Sequence, residues 1–105
     1  VTDVKLRGDC QFVGVDASTA QFTRPLMYPD DAFHPVSILN RSATSDKQLT
    51  HIYGCSTYSR DFFARDMRLP PLEEGDLLAF SNAGSYCASA YSTFLGFSPV
   101  KEIFV

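Results

Sequence analysis

Short apolar runs constrain this chain more than any other feature. Val4-Lys5-Leu6-Arg7 alternates, Gly8-Asp9 interrupts it, and Cys10-Gln11-Phe12-Val13-Gly14-Val15 resumes. Two β-prone runs around such a pair read as a hairpin. Further runs follow at Val36 to Leu39, Leu49 to Tyr53, Leu77 to Phe80 and Val100 to Val105, each bounded by glycine, proline or small polar residues. That punctuation predicts an all-β fold with short helices, a Greek-key-like β-barrel or sandwich. The 105 residues form a single domain, 1–105, with a modest core.

The remaining segments read as connections. Asp16 to Gln21 is a turn or one helical turn. Thr23-Arg24-Pro25 is expected to be extended, because proline disfavours the α region for the residue before it. Tyr28-Pro29-Asp30-Asp31 and Asn82 to Gly84 are turns, and Asn40 to Lys47 is an exposed loop. Asp61 to Met67 is expected to form a short helix that Leu69-Pro70-Pro71 stops. Ser85 to Thr93 is irregular or helical.

Composition removes several functions. Nine Lys and Arg face twelve Asp and Glu, a net charge of −3, which argues against nucleic acid as a partner. No run approaches the roughly 20 apolar residues of a membrane helix. Cys10, Cys55 and Cys87 form an odd set without CxxC spacing, which fits neither a disulfide framework nor a zinc site. A reducing, cytoplasmic setting is the corresponding expectation.

Few residues carry chemical promise. Cys55 follows a strand and a glycine and opens the polar stretch Ser56-Thr57-Tyr58-Ser59, although a free cysteine is more often a small buried hydrophobe. His51 lies four positions before it, a separation of about 13 Å along a strand, too far for a Cys–His pair. His34, between Phe33 and Pro35, reads as a structural or surface histidine. Arg24 and Tyr28 flank Pro25-Leu26-Met27, and an arginine fork beside a phenol suits a carboxylate or phosphate. The same arginine would equally pair with a surface aspartate. Tyr86 follows a small-residue turn that can bring its hydroxyl to a ligand or leave it in solvent.

In their order along the chain, these residues resemble the C-terminal β-domain of fold-type III pyridoxal-phosphate-dependent decarboxylases, the diaminopimelate, ornithine and arginine group. The resemblance runs from Phe12-Val13-Gly14-Val15-Asp16-Ala17 through Arg24-Pro25-Leu26-Met27-Tyr28 and Phe33-His34-Pro35. It continues through Cys55, Asp61, Leu69-Pro70 and Gly75-Asp76-Leu77-Leu78. It ends on Ala83-Gly84-Ser85-Tyr86 and Ser92-Thr93-Phe94-Leu95-Gly96-Phe97. It implies a lyase of amino-acid metabolism that acts as a homodimer with active sites at the interface.

Specific roles come with that resemblance. It implies that Cys55 reaches a partner subunit's active site and helps return a proton there. Tyr86 would contact the pyridoxal 5'-phosphate phosphate. Arg24 and Tyr28 would hold a substrate carboxylate, Asp61 would lie near the dimer interface, and Phe94 would line the pocket. The cofactor would be bound mainly by an N-terminal β/α barrel of roughly 200 residues or more. That barrel is absent from this chain, so the isolated domain is expected to be inactive.

The sequence also departs from the family pattern. Ile52-Tyr53-Gly54-Cys55 replaces Gly-Pro-x-Cys, Ser56 replaces the acid after the cysteine, the following loop is two residues longer, and Leu95 replaces an asparagine. Serine offers no negative charge to an ammonium group, which weighs against a diamino-acid substrate. The resemblance leaves two alternatives, a non-catalytic binding domain of the same ancestry and an amino-acid racemase.

Overall fold

The computed structural model describes residues 1–84 and 86–105. Strands β1 (Asp3–Arg7) and β2 (Cys10–Gly14) form the expected hairpin, with Gly8 at φ 60° in its turn, a backbone that glycine adopts without strain. A single helical turn follows, α1 (Arg24–Met27), then β3 (Val36–Ile38), β4 (Gln48–Tyr53), β5 (Phe62–Leu69) and β6 (Leu78–Phe80). A 3₁₀ turn spans Phe94–Gly96. Four strands form one sheet in the order β1-β2-β4-β5, and β3 pairs with β6 in a second. The all-β expectation holds, as two sheets rather than a closed barrel.

One pairing sets the architecture. β2 and β4 run parallel, with Cys10 opposite Leu49 and Gly14 opposite Tyr53, whereas β4 and β5 run antiparallel, with Tyr53 opposite Phe62. The chain therefore leaves β2, leaves β4 and enters β5 at the same end of the sheet. The loop after β2 and the β4–β5 loop meet there.

The core lies under that sheet and contains Val13, Val15, Ile52, Phe63, Ala64, Leu69 and Leu72. Phe63 ties the layers together: its ring stacks on Phe22 at 5.9 Å and meets Phe80 of β6 at 5.2 Å. At the opposite end of the sheet, buried Gln11 is satisfied in full. Its amide donates to Thr50 Oγ1 and to the Pro70 carbonyl, both at 2.8 Å, and its oxygen accepts from the Leu72 N–H at 3.0 Å. Asp76, whose carbonyl accepts from the Val1 ammonium at 2.6 Å, takes a bidentate pair from Arg41 at 2.6 and 2.7 Å, which holds the Asp76 carboxyl below the usual range.

Three local expectations are corrected. Residues 61 to 67 are not helical; Phe62–Leu69 is a strand, because the edge of β4 offers it a ladder and eight residues cannot support a helix unaided. Phe62 and Phe63 consequently face opposite ways, Phe63 into the core and Phe62 outward beneath the Arg65 guanidinium at 4.2 Å. Asp66 sits at φ 53° where the β4–β5 register shifts, and its N–H donates to His51 Nδ1 at 3.2 Å. Thr23-Arg24-Pro25 is not extended but opens α1, where the N–H that proline lacks is not needed. Val100 to Val105 forms no strand and stays exposed. Ser85 lies outside the described residues.

Ile52 is fully buried at the centre of the core. Ile52→Ala is expected to cost about 2–5 kcal/mol of unfolding free energy in a urea titration. A cost under about 1 kcal/mol would contradict the packing described.

Candidate functional site

The two converging loops are fastened by one carboxylate. Asp61, only 2% exposed, accepts the Thr19 N–H and the Thr19 hydroxyl at Oδ1, both at 2.7 Å. Its Oδ2 accepts the Ser18 hydroxyl at 3.0 Å, the Ser56 N–H at 3.0 Å and the Ser56 hydroxyl. Burial raises the Asp61 carboxyl, but the bonds from Ser56 and Thr19 outweigh it, and the group is held below the usual carboxylate range. Gly54 is required beside it, since a Cβ there would overlap the Asp61 carboxylate.

Cys55 stands on this platform. Its N–H donates to the Ala17 carbonyl at 2.8 Å, and the Gly54 N–H donates to the Asp61 carbonyl at 2.8 Å. The side chain is exposed. Desolvation by the loops beneath it and then the Asp61 charge push the thiol above its ordinary range, so it stays protonated at neutral pH. His51, on β4, packs against Phe12 at 5.0 Å and lies 3.7 Å from Asp66. It belongs to the strand face, as the spacing argument requires.

The segment after Tyr86 is bonded to the loop that precedes α1. Thr23 donates its hydroxyl to the Ala90 carbonyl at 2.9 Å, and the Ser92 N–H donates to the Ala20 carbonyl at 2.6 Å. Those bonds set α1, with Arg24, next to the segment that carries Tyr86. Burial raises the Cys87 thiol and the Arg24 guanidinium draws it down, so the two lie within electrostatic reach. Tyr28, at the end of α1, is exposed, and its carbonyl caps the following turn. Tyr86 is 81% exposed, with φ at 61°.

A pocket of about 290 Å³ joins these parts, lined by Ser18, Thr19, Leu26, Ser56, Tyr58 and Phe94 among others. Tyr58, in the lengthened loop, meets Phe94 edge-on at 5.6 Å. Sequence reasoning named Cys55, Ser56, Asp61 and Phe94 but missed Ser18, Thr19 and Tyr58. The hydroxyls of Asp16-Ala17-Ser18-Thr19, directly after a strand, were the available signal. Asp61 is an internal anchor here. His34 is buried, and because a carbonyl only accepts, its Nδ1 donates to Ser81 O at 3.0 Å. That bond gives it a structural place.

Residues 1–84 match the family model of the pyridoxal-dependent decarboxylase C-terminal sheet domain. The chain belongs to that family. It is 37% identical over 84 residues to diaminopimelate decarboxylase of Methanothermobacter thermautotrophicus, covering 80% of this chain and 19% of that protein. Against the diaminopimelate decarboxylase of Archaeoglobus fulgidus it is 33% identical over 99 residues, 94% of this chain and 23% of the relative. The solved Helicobacter pylori diaminopimelate decarboxylase, complexed with L-lysine, superposes with a TM-score of 0.77 at 32% identity, covering 90% of this chain and 22% of that one. The arginine decarboxylase of Paramecium bursaria Chlorella virus shares the fold, with a TM-score of 0.79 at 20% identity over 92% of this chain and 26% of that one. The chain thus spans about a fifth of the length of the first curated relatives it matches.

Because the folded Asp61 carboxyl lies below its unfolded value, the stability it contributes is present above about pH 4. It is lost as pH falls through that range toward the folded value. Asp61→Asn is therefore expected to be less stable than the parent at pH 7, with the gap narrowing below about pH 4 in denaturant titrations. A gap independent of pH would contradict an ionised Asp61.

Proposed function

We propose that this chain is the C-terminal domain of a pyridoxal-phosphate-dependent amino-acid decarboxylase whose remaining domain carries most of the cofactor site. The observation that supports the reading is the exposed Cys55, seated on the Asp61 platform at the end of the sheet where Ser18, Thr19, Ser56 and Phe94 line a pocket. When bound, pyridoxal phosphate supplies the electron sink for loss of carbon dioxide. The residues present fit a supporting share of that site: a phenol turned outward at Tyr86 suits one phosphate oxygen presented by another domain.

Within that reading, each residue does what its surroundings permit. Cys55 Sγ holds a proton at neutral pH and delivers it to the reacting carbon. The Arg24 guanidinium and the Tyr28 hydroxyl grip a substrate carboxylate, which orients the amino acid. Phe94 and Tyr58 close the pocket wall against water. In this reading Cys55 serves a site completed by a second subunit, and residues 1–105 by themselves are inactive.

Ser56 refines the substrate. Its N–H and hydroxyl are both turned onto Asp61, so the position after the cysteine presents no free acceptor charge. The substrate's distal end is then an uncharged group or an anion facing Arg24, not a lone ammonium.

The test uses the whole decarboxylase and an amino-acid panel, with carbon dioxide as the readout. Release from at least one amino acid is expected, and Cys55→Ala is expected to slow it by about 100-fold or more while the cofactor stays bound. Absence of release across carboxylate-bearing and apolar amino acids would contradict the function. Release unchanged by Cys55→Ala would remove the role given to the thiol.

A further inference from the structure

Asp61 takes no part in the chemistry proposed above, yet the loops at the site end of the sheet depend on it. Of the two residues that flank Cys55, Ser56 binds the Asp61 carboxylate through both its N–H and its hydroxyl. The other, Gly54, donates its N–H to the Asp61 carbonyl at 2.8 Å. Cys55 itself is held by the Ala17 carbonyl, and the next two residues after Ala17, Ser18 and Thr19, are bound to the same carboxylate. All three points that fix the thiol's backbone thus lead to one residue, two through its carboxylate and one through its carbonyl.

We propose that Asp61 is the positioning residue for Cys55, fastening the chain on both sides of the thiol and setting a negative charge beneath it. It touches neither a reacting atom nor the thiol's proton. Its charge opposes formation of a second negative charge on sulfur, which favours a thiol that donates a proton over a thiolate that attacks. Among the described residues, the charges that act on Cys55 are Asp61 and, more weakly, exposed Asp16, while Ala17, Ser18, Thr19 and Ser56 are uncharged. The inference rests on the proposed function only for its purpose. The geometry stands without it.

The experiment alkylates the 105-residue chain with iodoacetamide across pH and reads Cys55 separately from Cys10 and Cys87 by peptide mass. Asp61→Asn is expected to lower the pH midpoint of Cys55 alkylation by about half a unit or more, and Asp16→Asn by less. An unchanged midpoint in Asp61→Asn overturns the proposal. A purely structural anchor would change the rate without moving the midpoint downward. If Asp61→Asn does not fold, Ser56→Ala keeps the charge and removes one tether. Amide exchange at residues 55 and 56 is then expected to quicken by about fivefold or more, and unchanged exchange overturns the proposal. Neither readout uses turnover. A failed decarboxylase assay beside these results would remove the function and leave the positioning role standing.

Discussion

The ionised carboxylate of Asp61 is the constraint from which the rest of the site end follows. A buried charge is tolerable only when its hydrogen-bonding capacity is filled, and here two hydroxyls from one loop, one from another and two backbone N–H groups fill it. Removing any donor leaves a charge that is short of partners. The loops after β2 and β4 therefore keep their course even though each is polar and, alone, has several conformations open to it.

That carboxylate can act on both loops only because β2 and β4 are parallel neighbours. An antiparallel pair would send the two exits to opposite ends of the sheet. The parallel pairing obliges the chain to cross over between the strands, and the crossover, residues 15 to 47, carries α1 and β3. β3 then pairs with β6 and builds the second layer, which Phe63, Phe22 and Phe80 bind to the first. Toward the far end, Gln11 ties β2 to Thr50 and to the backbone of Pro70 and Leu72. The satisfied polar group at the Asp61 end leaves a thiol, rather than an apolar side chain, at the surface.

Much of this was legible in the sequence. The first hairpin follows from alternation around Gly8-Asp9, and β3, β4 and β6 from short β-prone runs. The family resemblance rested on the order of many small blocks, and residues 1–84 carry it. Asp61 to Met67 reads as a helix because adjacent phenylalanines followed by Arg65 and Asp66 imitate a helical face, whereas the structure has a strand, Phe62–Leu69. What decided it was the edge of the preceding strand, β4, with which it pairs antiparallel. The Pro25 turn failed for a similar reason, since a local bias was outweighed by Thr23 and the Ala90 carbonyl it binds. At the site, residue types pointed to Cys55, Arg24 and Tyr86. The inward turn of Ser56 and Asp61 was not legible, because no local pattern reveals that two loops share one carboxylate.

The central claim is that Asp61 is ionised, buried and shared by the loops after β2 and β4. A ¹³C NMR titration of its carboxyl carbon, with the amide shifts of Thr19 and Ser56 followed in the same samples, tests this most directly. The account predicts one common midpoint for all three signals, below the ordinary aspartate value of about 3.9. A midpoint at or above that value, or amides that do not follow the carboxyl, would contradict it.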